Sequence, residues 1–203
     1  MHDSLPYIER LDHQRKRFGF KVEAVALDSG YLNSAICKQL QDREIYAVIG
    51  QRRFYKTKGL FQKWRFKYDA ETDVYVCPNK QILQYKRTTR DGYRHYVSEK
   101  KQCEKCPFLS ECTLSRNHHK VITRHVWEDS REWVRENLLT KVGQYLYQKR
   151  KETIERSFAD AKQLHGYRYA RFRGRENVLE QALLTVAYQN MKKIALHLAK
   201  IAG

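Results

Sequence analysis

Lys21-Val-Glu-Ala-Val-Ala-Leu-Asp28-Ser-Gly-Tyr31, answered by Ile45-Tyr-Ala-Val-Ile-Gly50, is the stretch whose reading decides the fold. Both apolar runs are short, rich in Val, Ile and Ala, and closed by turn residues, which is the pattern of buried strands. Between them Asn33 or Ser34 is placed to start a helix through Ile36, Cys37 and Leu40. Two strands joined by a helical crossover make a right-handed parallel βαβ unit. In open α/β sheets the functional groups gather at the carboxyl ends of strands, and Asp28 lies at such an end. The alternative for Asp28 is a plain turn residue in Asp-Ser-Gly. Ahead of this unit, Ser4 is expected to cap a helix with Pro6 in its first turn. That helix runs through Ile8 and Leu11 to about Phe18, where Gly19 ends it.

Outward from that unit the chain reads as three segments: 1–52, 53–125 and 126–203. In the second, Trp64-Arg-Phe-Lys-Tyr, Asp73-Val-Tyr-Val-Cys and Tyr93-Arg-His-Tyr-Val alternate like antiparallel strands, and Asp91-Gly92 marks a turn. This segment holds Cys77, Cys103, Cys106 and Cys112. Four thiolates suit a closed, tetrahedral structural Zn²⁺ site, with His118 or His119 as substitutes for one cysteine; four reduced, unliganded cysteines are the alternative. Cys37, on an apolar helix face, reads as a core residue. His13, His95, His125, His165 and His197 form no constellation.

The third segment reads as helical and ends in an amphipathic run through Val178, Leu179, Ala182, Leu183, Val186, Ala187, Met191 and Ile194. Within it lies Arg150-Lys-Glu-Thr-Ile-Glu-Arg-Ser-Phe-Ala-Asp-Ala-Lys162. At α-helical spacing Lys151, Glu155 and Lys162 project from one face, while Ile154, Phe158 and Ala161 form an apolar stripe toward a core. A carboxylate among so many cations suits a site where a metal ion and a phosphodiester meet; a solvated helix laced with ion pairs is the alternative. Asp28 and Glu155 are the candidate pair for holding Mg²⁺ or Mn²⁺. Downstream, Gly166-Tyr-Arg-Tyr-Ala-Arg-Phe-Arg-Gly-Arg-Glu176 alternates arginines with aromatics, and Arg168, Arg171 and Arg173 are phosphate-binding candidates.

With 40 Lys and Arg against 23 Asp and Glu among 203 residues, the formal charge is +17. That balance calls for a polyanionic partner. No apolar run reaches the length of a membrane span, and the amino-terminal residues lack a signal-peptide profile. The expected location is the cytosol, where thiols stay reduced.

Val25-Ala-Leu-Asp-Ser-Gly-Tyr31, then Glu155 with Lys162 seven residues on, then Gly166 to Val178, together resemble the carboxyl-terminal part of a bacterial insertion-sequence DDE transposase. His2-Asp3-Ser4 also resembles a short His-Asp turn of these enzymes. The family's third-acid signature is a Tyr, an Arg, the Glu and the Lys. Tyr147 and Arg150 are present, although Arg150 stands five residues before Glu155 rather than four, where Lys151 sits.

The resemblance implies an α/β fold: a partial RNase H-like core, made of the βαβ unit and the carboxyl-terminal helices, interrupted by the Cys-containing, β-rich insertion. It implies Asp28 as second acid, Glu155 as third, and DNA contacts by Lys162 with Arg150 or Lys151. The family's first Asp belongs on an earlier strand; Asp3 and Asp12 sit on or beside the first helix instead. The chain is therefore expected to be a truncated or split transposase, inactive alone, with an unpaired edge on Lys21–Leu27. Expected partners are double-stranded DNA at element ends, a full-length transposase or separate amino-terminal half, and further copies of itself. A non-catalytic zinc-stabilised DNA-binding or regulatory module is the alternative, and a zinc-bearing RNA-binding protein a third.

Overall fold

The computed structural model describes residues 4–52 and 59–202, so His2 and Asp3 of the expected His-Asp turn lie outside the described residues. The chain divides into two compact units, Met1–Leu139 and Thr140–Gly203.

The first unit opens with α1 (Tyr7–Phe18), β1 (Ala24–Leu27), α2 (Ser34–Asp42) and β2 (Tyr46–Ile49). Gly19, at φ 67°, ends α1 as expected. Its capping position falls to Pro6 rather than Ser4, whose carbonyl accepts from Tyr7 N at 3.4 Å one turn ahead. Asn33 caps α2, its Oδ1 accepting from Ile36 N at 2.8 Å.

β1 and β2 pair in parallel from Ala24↔Tyr46 to Leu27↔Ile49, the expected βαβ unit. β1 is shorter than the apolar run because its partner begins only at Tyr46. Among the described residues no strand pairs with its other edge. α1, α2 and β2 close a core on Ile8, Leu11, Ile36, Cys37, Leu40, Ala47 and Ile49. Burial pushes the Cys37 thiol up to about 11, consistent with a core role.

Next come β3 (Lys67–Asp69), β4 (Val74–Val76), β5 (Ile82–Thr88), β6 (Tyr93–Ser98), α3 (Lys100–Glu104), α4 (Leu109–Cys112), β7 (Val121–His125) and α5 (Glu128–Leu139). The five strands form one antiparallel sheet in sequence order. The strand expected at Trp64 starts only at Lys67, because Phe66 N bonds back to Lys63 O and makes Lys63–Arg65 a tight helical turn.

Tyr75, Leu83, Tyr96, Ile122 and Phe66 form the sheet's core. Arg124, only 5% exposed, also points inward from β7. Its guanidinium lies 4.1 Å from the Tyr68 ring centroid, bonds Glu132 through two 2.9 Å contacts, and pairs with Asp129. α5 thereby ties the sheet to the first core, where Val134 is buried and Asn137 Nδ2 donates to Ala47 O at 3.0 Å.

The second unit contains α6 (Lys141–Arg150), a π-helical turn (Lys151–Glu155), α7 (Arg156–Leu164) and α8 (Arg175–Ala202). Ser157 anchors α7 to α8: its carbonyl accepts from Gln189 Nε2 at 2.9 Å and its hydroxyl from Lys193 Nζ at 3.0 Å. The expected apolar stripe is only partly inward, since Ala161 is buried while Ile154 and Phe158 are 54% and 59% exposed. Among the described residues no helix is long and apolar enough to cross a membrane.

Candidate functional site

Asp28 follows the last residue of β1, level with the carboxyl end of β2, where Gly50 N donates to Leu27 O at 3.1 Å. The turn that turns the chain away from the strand is built on its carboxylate: Oδ1 accepts from Gly30 N at 2.6 Å and caps the helical turn Ser29–Tyr31. A side chain at position 30 would have its Cβ 2.8 Å from that oxygen, so the turn needs glycine there. Arg52, three residues past the carboxyl end of β2, donates from Nε to Ser29 O at 2.9 Å and brings a cation to the same turn. Asp12, by contrast, is taken up by Arg43, whose Nε and Nη2 reach it at 3.0 and 2.6 Å.

Glu155 ends the π-helical turn. A π turn closes over five residues rather than four. Arg150, five before the glutamate, therefore faces it and its Nη2 donates to Glu155 Oε1, while Lys151 is exposed. The same guanidinium carbon lies 5.2 Å from the Tyr147 ring centroid, so Tyr147, Arg150 and Glu155 form one contact series. Within the widened turn Thr153 Oγ1 donates to Lys149 O at 2.9 Å and competes for a carbonyl of the backbone ladder.

Glu155, Lys162 and Arg168 line one open recess of about 560 Å³, with Phe158, Ala159 and Gln163 completing its wall. The arginine-bearing loop after α7 is held by two residues that carried no signal of their own in the sequence. Gln181 of α8 donates to Tyr169 O at 3.1 Å and accepts from Arg171 N at 3.0 Å, and Asn177 Nδ2 donates to Arg173 O at 2.8 Å. Gly166, at φ 62°, leaves the space into which the Arg171 guanidinium packs. Arg168, Arg171 and Arg173 are exposed around this loop, free to meet phosphate.

Asp28 belongs to the first unit and Glu155 to the second. Two carboxylates are the hard oxygen donors that Mg²⁺ takes, yet one oxygen of each is engaged, by the Gly30 amide and by Arg150. Among the described residues no group of three or more His, Cys, Asp or Glu side chains is arranged to hold a metal ion. Cys77, Cys103, Cys106 and Cys112 nevertheless line a common cavity, and neither His118 nor His119 is in its wall.

A family model described as "Transposase DDE domain" matches residues 76–195, more than half of the chain. The match takes in the four cysteines, Tyr147, Arg150, Glu155, Lys162 and the arginine loop, and Asp28 lies upstream of it. No curated protein and no solved structure matches.

Proposed function

This chain belongs to the family of transposase DDE domains, and we propose that it cuts and joins DNA at the ends of a mobile element, with Asp28 and Glu155 as two of its catalytic acids. The observation that carries this reading is the series Tyr147, Arg150, Glu155 and Lys162 inside the matched residues, with Arg150 on the Glu155 carboxylate. The parallel β1–α2–β2 unit with Asp28 at its carboxyl end supports an RNase H-like core. On that reading residues 53–125 are an insertion between the parts bearing the two acids. No residue of this chain is assigned as the remaining acid of the triad.

Asp28 and Glu155 would hold Mg²⁺ or Mn²⁺, which when bound activates the attacking hydroxyl and stabilises the leaving oxygen. Arg168, Arg171 and Arg173 bind backbone phosphates, and Lys162 holds the strand beside Glu155 in their shared recess. Arg150 keeps the Glu155 carboxylate paired until a cation competes for it. Lys151, exposed on the same turn, adds a further phosphate contact. Double-stranded DNA is the partner, and joining two ends favours more than one transposase subunit.

A second reading, a DNA-binding module without catalysis, is favoured by the pairing of Glu155 with Arg150. Glu155→Gln separates the two. Duplex DNA carrying the element ends is incubated with Mn²⁺ and either protein. With the remaining acid supplied by an added transposase subunit, the catalytic reading expects cleavage with the parent chain and none with Glu155→Gln, at equal DNA binding. Equal binding with no cleavage by either protein favours the second reading.

A further inference from the structure

The sequence places Cys77 just past β4, Cys103 in α3, Cys106 just past it, and Cys112 at the end of α4. The fold brings all four to the wall of one cavity of about 20 Å³, closed on its apolar side by Phe66 and Leu83. That volume is close to a single water-sized sphere, too small for an organic ligand. All four are free thiols rather than disulfides.

The surroundings suit thiolate charge. Gln81 N donates to Cys77 Sγ at 3.4 Å and Asn79 Nδ2 to Cys106 Sγ at 3.6 Å. Ser98 Oγ lies 3.1 Å from Cys103 Sγ, and its hydroxyl is free to turn and donate to a thiolate. The Lys120 side chain lies in the cavity wall, with Nζ donating to Cys112 O at 2.7 Å. α3 and α4 have five and four residues and bury none of them, so a cross-link would add to the tertiary contacts that hold such short helices.

We propose that Cys77, Cys103, Cys106 and Cys112 bind one structural Zn²⁺ that fastens α3 and α4 to the β4–β5 edge of the sheet. Four sulfurs at about 2.3 Å from zinc make a closed tetrahedron with no open position, so the ion serves stability and not strand cleavage. The thiols line the cavity without yet forming a coordination shell. Binding draws them inward by side-chain rotation and releases their protons to solvent. A net charge of −2 then sits beside Lys120.

The test is metal content, independent of any DNA reaction. The chain, purified without added metal, is measured by elemental analysis and then by Co²⁺ exchange. The expected result is about one zinc per chain and, with Co²⁺, the intense visible bands of tetrahedral thiolate coordination. Cys106→Ser is expected to lose the ion, while Cys37→Ala keeps it. As a guard against misfolding of the serine variant, a chelator is added to the parent chain. Four thiols should then become reactive, and amide exchange should rise over residues 99–119 before the rest. Zinc well below one per chain, iron in its place, a disulfide among the four, or Co²⁺ bands that survive Cys106→Ser would each overturn the proposal.

Discussion

Asp28 combines a local duty with the proposed chemical one, and the two are separable by a single atom change. Its Oδ1 accepts the Gly30 amide, a bond that an asparagine oxygen makes equally well. Asp28→Asn is therefore expected to leave the urea unfolding midpoint unchanged while abolishing cleavage. Retained cleavage would reduce Asp28 to the turn residue that Asp-Ser-Gly also suggested. Gly166 offers a second test at this scale. It adopts φ 62°, and a Cβ there would press into the Arg171 guanidinium. Gly166→Ala should cost about 1 kcal/mol of stability through the left-handed backbone alone. It should also weaken DNA binding by displacing Arg171, as read by urea titration and by binding to duplex DNA. The sequence marked this glycine only as a loop residue near arginines, because no local pattern reveals which distant side chain lies on it.

At the scale of the element, the π turn decides what bonds Glu155: regular spacing puts Lys151 and Lys162 on its face, and the turn adds Arg150, five residues before it, as its hydrogen-bond partner. The departure was visible in the sequence as an arginine one position off the family's spacing. The π geometry that absorbs it was not, since no residue pattern in the run marks a turn of five. Thr153→Val is expected to restore regular α-helix, rotate Arg150 away from Glu155, and slow amide exchange over residues 150–156. Exchange unchanged by this substitution would remove the hydroxyl as the cause of the turn. The strands β5 and β7 were unreadable for a related reason. β5 buries only Leu83, and β7 alternates Ile122 with an inward arginine, so neither shows an apolar period of two.

Across the first unit as a whole, buried charge sets the response to acid. The Arg124 guanidinium holds the Glu132 carboxyl below its usual range, and the Tyr96 hydroxyl does the same for Asp73. A lowered folded value means stability that is present above the unfolded pKa and lost as pH falls through the folded one. The urea midpoint should thus hold from neutral pH to about 4, the ordinary carboxylate range, and drop below it. Arg124→Met should lower the midpoint at neutral pH and flatten that drop; a parent midpoint unchanged down to about pH 3 would contradict the account. The sequence by itself determined the βαβ unit, the position of Asp28 at a strand end, the helical last segment and the preference for a polyanion. Those features rest on local periodicity, turn chemistry and total charge, which need no knowledge of distant contacts. Only the tertiary structure decided that Arg150 rather than Lys151 meets Glu155, that four cysteines rather than a histidine share one cavity, and that Arg124 lies inside the sheet. The last two depend on strand pairing and packing that bring residues together across the chain, and the first on a π turn that regular helical spacing does not show.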